Sequence, residues 1–202
     1  SIPSAIGLFL LSRPMLATLF NYGDFAAHDV SMAGISLMAY SAGLPGFMLI
    51  KVLAPAFYSR KDPRTPVRIA VIALVTNRVL NLVFLVPLVH YGVSGPHAGL
   101  ALATSVAAWV NAGLRYHTLR QKGIYRPEQG WMRLGMQALL AGGVLAALLL
   151  WAVPGIDDWL AWGVGQRILQ LLGWVAAGVV AYFVALRLAG LRLLVMWRQG
   201  RQ

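Results

Sequence analysis

The chain has 202 residues, 59% of them hydrophobic and only 11% charged, with a mean hydropathy of +0.69. Lys and Arg number 17 against 6 Asp and Glu, for a formal net charge of +11, and cysteine is absent. This composition excludes a disordered chain, a disulfide scaffold and a soluble nucleic-acid binder, and leaves an all-α integral membrane protein.

The sequence opens on Ser1-Ile2-Pro3, already inside an apolar run and without the basic region or cleavage site of a signal peptide. It is therefore expected to be a piece of something longer. A bilayer core about 30 Å thick needs ~20 apolar residues per crossing. Six stretches meet that length, at residues 2–20, 31–57, 67–89, 97–116, 131–153 and 167–188. The second contains Pro45 and Pro55, so a shorter, bent span is expected there. None of the six shows the period-two alternation of a membrane barrel strand.

Charge separates the connections into two classes. Arg60, Lys61, Arg64 and Arg68 follow the second stretch. Arg115, Arg120, Lys122, Arg126 and Arg133 follow the fourth, and Arg187, Arg192, Arg198 and Arg201 the sixth. The alternate connections hold Asp24, Asp29, Asp157 and Asp158, with Arg167 at their border. The positive-inside rule assigns the basic loops and the carboxy terminus to the cytoplasm. Tyr125, Trp131 and Trp197 on that side, and Tyr22, Tyr91, Trp159 and Trp162 on the other, stand where aromatic belts are expected. Residues 187–202 mix arginines with Leu188, Leu191, Leu194, Val195 and Trp197, the pattern of a basic helix lying on anionic lipid.

Small residues recur every fourth position in the later stretches: Gly99, Ala103 and Ala107; Ala138, Gly142 and Ala146; and Gly173, Ala177, Ala181 and Ala185. Such stripes let helices approach closely where lipid supplies no hydrophobic drive. Pro14 and Pro45 are prolines within spans, and Gly43 with Pro45 forms a candidate hinge.

Charges at mid-membrane cost ~2.5–3.5 kcal/mol on insertion scales, so each needs a reason. Lys51 and Arg13 lie six to seven residues from a span end, a rise of ~9–10 Å that their stems can largely snorkel. Arg78 is ~16 Å from either interface, beyond that reach. Asn77 and Asn81 flank it, and Thr104 and Asn111 on the next span are candidate partners. This patch reads either as a substrate contact or as an interhelical hydrogen-bond network. Metal-site spacing, phosphate loops and nucleophile motifs are missing from the sequence, and Asp157-Asp158 reads as a turn-former.

The run KVLAPAFYSRKDPRTPV at 51–67 resembles the signature of the MurJ/MviN family. Leu11-Ser12-Arg13-Pro14, the segment 19–25 and the segment 39–45 agree with it. The family comprises lipid II flippases of the MATE-like (MOP) superfamily, with two six-helix lobes and two added helices. The resemblance implies helices nine to fourteen here: residues 1–118 as the last four of the second lobe, and 119–202 as the added pair and cytoplasmic tail. It implies a non-enzymatic protein that flips lipid-linked peptidoglycan precursor across the bacterial inner membrane by alternating access. Its partners would be lipid II, the amino-terminal half and anionic lipids, with no nucleic acid. Arg78, Asn77, Asn81, Arg13 and Lys51 become candidate substrate contacts. The apolar faces of the last two spans suit a polyprenyl tail. Asn77, Asn81, Leu100 and Thr104 fall where some members hold sodium, although Asn81 replaces a carboxylate and Arg78 adds positive charge beside it. No cofactor is implied beyond coupling to sodium, protons or the membrane potential. Another transporter of the superfamily and an integral-membrane lipid enzyme are the competing readings.

Overall fold

The computed structural model describes residues 1–22, 27–90, 97–125 and 130–190. Among these there are eight helices and no strand: α1 (Ile2–Leu10), α2 (Ser12–Phe20), α3 (Ala27–Tyr58), α4 (Arg64–His90), α5 (His97–Gln121), α6 (Trp131–Ala152), α7 (Ile156–Ala161) and α8 (Val164–Leu188). The expected interfacial helix of the tail lies, beyond residue 190, outside the described residues.

Four helices, α3, α4, α6 and α8, are long and apolar enough to cross a membrane alone, and α1 with α2 makes a fifth span bent by 65°. Among the described residues, four or five of the six expected spans meet that measure. The first is broken at Leu11 (φ −95°, ψ 9°). Pro14 has no N–H for the Leu10 carbonyl and its ring crowds that oxygen, so the chain yields one turn earlier. In its new setting Pro14 occupies the first turn of α2, where a missing N–H costs nothing. The other departure is α5, which is long but not apolar enough to meet the same test. It lies between α3 and α4, and its buried face is Gly99, Ala101, Ala103, Ala107, Ala108 and Ala112 with Ser105. A helix screened by its neighbours needs closeness more than hydrophobicity, and small residues provide the first at the expense of the second.

Contacts set the directions. Gly43 faces Ser105 and Gly46 faces Ala108, so α3 and α5 run parallel in fixed register. Pro66 meets Arg115 while Asn77 meets Thr104, so α4 runs antiparallel to α5. Helices α6 and α8 pair antiparallel through Gly178 on Leu145 and through Gln137 Nε2, which donates to the Ala189 carbonyl just past α8 at 2.6 Å. The bent α1–α2 pair sits between the two groups, against α3 on one side and against α6 and α8 on the other. Its Leu11 joins Ala141, Leu145, Leu149, Tyr182 and Leu186 in the principal core.

Several expectations are corrected here. Helix α3 is one continuous helix of 32 residues through both prolines, not a shortened span. At 1.5 Å per residue it is about 48 Å long and exceeds the hydrocarbon core. The buried face of α8 is Gly178, Tyr182 and Leu186, and a Cβ on Gly173 would meet open space. The small-residue stripe is rotated off the contact because Tyr182 and Leu186 have more area to bury. The connection after α6 contains α7, with Asp157 and Asp158 in its first turn, where their charge suits the helix dipole. Trp159 is fully buried and belongs to the core rather than to an aromatic belt.

A Cβ on Gly43 would lie 2.8 Å from the Ser105 Cα, a backbone atom that cannot step aside. Gly43→Ala is therefore expected to destabilise the bundle by about 1–3 kcal/mol through overpacking. Gly173→Ala, in open space, is expected to be neutral or to stabilise by up to about 1 kcal/mol through helix propensity. Thermal unfolding of both variants in detergent checks the contrast.

Candidate functional site

The mid-membrane polar residues form a linked chain across α4 and α5. The Asn77 amide donates to Thr104 Oγ1 at 3.2 Å, and the Thr104 hydroxyl donates to the Leu100 carbonyl at 2.9 Å. The Asn81 amide donates to Asn77 Oδ1 at 3.2 Å. Asn81 Oδ1 is buried and has no hydrogen-bond partner among the described residues. The four residues that sequence reasoning grouped for sodium are therefore together in space. The Asn77, Thr104 and Leu100 oxygens each accept a hydrogen bond from within the group, which leaves Asn81 Oδ1 as its one side-chain oxygen without a donor among the described residues. The arrangement is a hydrogen-bonded link between helices.

Arg78 is exposed on the open side of α4, and no hydrogen bond or ion pair among the described residues engages it. Arg13 is half-buried, its stem packed over Gly34 and its Nε buried without a hydrogen-bond partner among the described residues. Lys51 is exposed on α3. These three cations are not gathered into one site, since α2 and α4 are separated by α3 and α5. Asn111 does not join the Asn77 patch. Its Oδ1 accepts from Arg115 Nε at 2.7 Å, while Arg115 Nη2 reaches the Pro66 carbonyl at 3.5 Å. Arg115, read from sequence as a loop residue, is thus a buried tie between α5 and the start of α4.

The candidate hinge is a contact surface. Ser105 Oγ donates to the Ala39 carbonyl at 2.6 Å and Trp109 Nε1 to the Ala42 carbonyl at 2.9 Å, in the two turns ahead of Pro45. Gly43 and Gly46 are the bare positions that allow this approach.

Sequence reasoning missed Arg167. It is only 6% exposed, and it donates through Nη1 to the Ala17 carbonyl at 3.0 Å and through Nη2 to the Leu160 carbonyl at 2.8 Å. Both carbonyls lie in the last turns of their helices, α2 and α7, where oxygens lack intrahelical donors. One guanidinium caps two helices. The available signal was position: a cation in the first turn of α8 gains nothing from its own helix dipole and so implies a partner elsewhere.

Between α1, α6 and α8 opens a lateral cleft of about 460 Å³, lined almost wholly by apolar groups including Leu8, Leu11, Leu149 and Phe183, with Gly7 and Gly178 as side-chain-free notches. At the basic end Asp62 organises the connections. Its carboxylate accepts from Lys122 Nζ at 2.7 Å, from Thr65 Oγ1 at 2.7 Å and from the Thr65 N–H at 3.2 Å. It thereby caps α4 and ties it to the end of α5.

Long apolar helices joined by buried polar links, with a lipid-sized lateral cleft, define a polytopic helical membrane protein. The family model described as lipid II flippase MurJ matches residues 1–190, and the chain belongs to that family. It is 44% identical to the probable lipid II flippase MurJ of Vibrio cholerae over 95% of this chain and 35% of that protein. It is 45% identical to the lipid II flippase MurJ of Burkholderia cenocepacia over 77% of the chain and 29% of that protein. To the probable flippase of Haemophilus influenzae it is 36% identical over 95% and 36%. The chain thus spans about a third of the length of these curated relatives.

The Lys122 hydrogen bond, and after it those from Thr65, hold the Asp62 carboxyl at about 2, below its ordinary 3.8. A lowered value means that the clasp contributes fully above the ordinary value and is lost as pH falls through about 2. The difference in unfolding midpoint between the native chain and Asp62→Asn is expected to stay constant from neutral pH to pH 5, and to vanish towards pH 2.

Proposed function

We propose that this chain forms the carboxy-terminal part of a lipid II flippase of the bacterial inner membrane, with its basic loops in the cytoplasm. The observation that carries the reading is the family match over residues 1–190 on a bundle whose lateral cleft is lined mostly by apolar groups. Flipping an amphiphile requires the polar head to cross through a protein-lined path while the hydrocarbon tail stays in an environment as apolar as lipid. The cleft between α1, α6 and α8 supplies the second of these. Leu8, Leu11, Leu145, Leu149 and Phe183 offer a polyprenyl chain dispersion contacts with few polar groups to desolvate, and Gly7 leaves room beside them.

The headgroup would be handled elsewhere, against the face of α4. Arg78 stands there at mid-membrane, exposed and beside Asn77 and Asn81. A guanidinium at that depth suits the pyrophosphate or the sugar hydroxyls of the head, and alternating access would bring the rest of the transporter over it. Arg13 and Lys51 lie on other elements and would serve at different stages of the path. The Gly43–Pro45 region would act by letting α3 move against α5, because the contact depends on two side-chain hydrogen bonds that can break and re-form.

The test joins this segment to the amino-terminal part of the Vibrio cholerae relative and asks for growth and lipid II translocation in cells depleted of their own flippase. Rescue is expected. Failure despite normal expression and insertion would count against the reading. In that background Arg78→Ala is expected to lower translocation at least tenfold while leaving membrane abundance and unfolding midpoint unchanged, whereas a purely structural Arg78 would lose stability first.

A further inference from the structure

One face of α3 stays uncovered along much of its length. A step of about 11 residues returns an α-helix to within about 20° of its starting direction. Asp29, Tyr40 and Lys51 stand at that spacing, with Ser36 on the same stripe. The helices packed on α3 leave this stripe open, since Tyr40 is 44% exposed and Lys51 is exposed as well. The Tyr40 hydroxyl is engaged by no hydrogen bond among the described residues. It lies about 20 Å of rise from the start of α3, well away from either end of the helix. At that depth an unpaired hydroxyl against hydrocarbon is costly, so the stripe is a surface that meets polar material.

From Tyr40 towards the start of α3 the stripe opens into a cleft of about 570 Å³, lined by His28, Asp29, Met32, Ser36 and Tyr40 among others, with His97 from the start of α5 in its wall. It lies at the end of the bundle remote from the basic connections. Its chemistry disfavours three kinds of occupant. No lysine or arginine lines it and Asp29 does, so a pyrophosphate would meet a like charge. A hydrocarbon chain would strip water from Asp29 and both imidazoles and leave the Tyr40 hydroxyl unpaired. A metal ion needs its ligands gathered together, and no three His, Cys, Asp or Glu side chains converge to hold one among the described residues. What suits the walls is an uncharged molecule with one apolar face and a rim of hydroxyls. Tyr40 presents a ring with a polar tip, and Met32 extends the apolar surface. Asp29, Ser36 and the two imidazoles supply hydrogen-bonding groups around it. The Ser36 hydroxyl donates to the Met32 carbonyl at 3.4 Å, which leaves its oxygen able to accept. Mostly apolar walls with a few placed polar groups are the composition of a small-molecule site.

We propose that this cleft is a sugar subsite that receives the glycan part of the lipid-linked headgroup, with Tyr40 stacked on a pyranose ring and Asp29, His28 and His97 hydrogen-bonded to its hydroxyls. A pyranose has the complementary form, C–H bonds across one face and hydroxyls around the edge. The inference rests on the flippase reading and deepens it, because it gives the sugars a station on α3 and leaves the pyrophosphate to Arg78 on α4. Lys51, further along the same stripe, continues the line of polar groups past the cleft.

The test uses the full-length transporter made with the amino-terminal part of the Vibrio cholerae relative, purified in detergent. Saturation-transfer NMR follows its binding of N,N′-diacetylchitobiose, a soluble disaccharide without phosphate, peptide or tail, against protein-free micelles. Binding is expected, about tenfold weaker in Tyr40→Ala and within about twofold of native in Tyr40→Phe, which keeps the ring and loses only the hydroxyl. Because Tyr40 is exposed, the unfolding midpoint is expected to be the same in all three. No transfer from the native protein, or equal affinity in native and Tyr40→Ala, would overturn the proposal. So would a fall in midpoint that parallels the loss of binding, which would make the ring a packing element. In cells depleted of their own flippase, Tyr40→Ala is expected to slow lipid II translocation about tenfold at unchanged membrane abundance. The two readings fail separately. If the native hybrid binds the disaccharide through Tyr40 yet moves no lipid II, the flippase reading falls and the sugar site stands. If the hybrid moves lipid II and Tyr40→Ala moves it equally well, the site falls and the flippase reading stands.

Discussion

Everything in the first half of the chain is arranged around the approach of α3 to α5. Two glycines of α3 rest against the backbone of α5, and two side chains of α5, Ser105 and Trp109, donate to carbonyls of α3. The location follows from Gly43 and Gly46, whose missing side chains let α5 come within reach of the Ala39 and Ala42 carbonyls. In lipid such a contact has no hydrophobic drive, so close backbone packing and hydrogen bonding must sustain it. With α3 and α5 fixed, α4 is held to the far side of α5 through Asn77 and Arg115, and the bent pair to the free side of α3 through Gly34.

The polar residues divide by what they accomplish. Asn77, Thr104, Arg115, Gln137 and Arg167 all engage other helices or their ends, and most are at least half-buried. Arg78, Lys51 and Arg60 do not, and each stands on an open face. In a bundle with few charges, this separation distinguishes residues that build the protein from those left available to something else. The apolar cleft lies on the opposite side of the bent pair from α4, so a tail and a headgroup would be met by different parts of one scaffold.

Much of this was legible in the sequence because helix spans and loop charge are one-dimensional properties. The lengths of α4, α6 and α8 follow from their apolar runs, and the linkage of Asn77, Asn81 and Thr104 follows from helical spacing plus one hairpin. What escaped depends on three-dimensional partners. The break at Leu11 comes three residues before the proline that causes it. The burial of Trp159 and Arg167 depends on α7, six residues long and too short to show a period. The face of α8 was misplaced by about one residue because Gly173 and Tyr182 compete for the same contact, and only the position of α6 decides between them. Residues 51–67 were recognisable as a unit, and the structure supplies a physical reason: Phe57, Lys61, Asp62 and Thr65 are the parts of one helix cap and the next helix start.

The double cap made by Arg167 bears on the order in which the protein assembles. Its bond to the Ala17 carbonyl joins residues 150 positions apart in the chain. Helix α2 therefore leaves the ribosome long before its last-turn oxygens receive their guanidinium. Until α8 enters the bilayer, interfacial water must occupy that place, and the bend between α1 and α2 lacks its outer anchor. Insertion of α8 thus reaches back to complete the α1–α2 span, and a chain stopped short of α8 would have that span in the membrane with one end still unclosed.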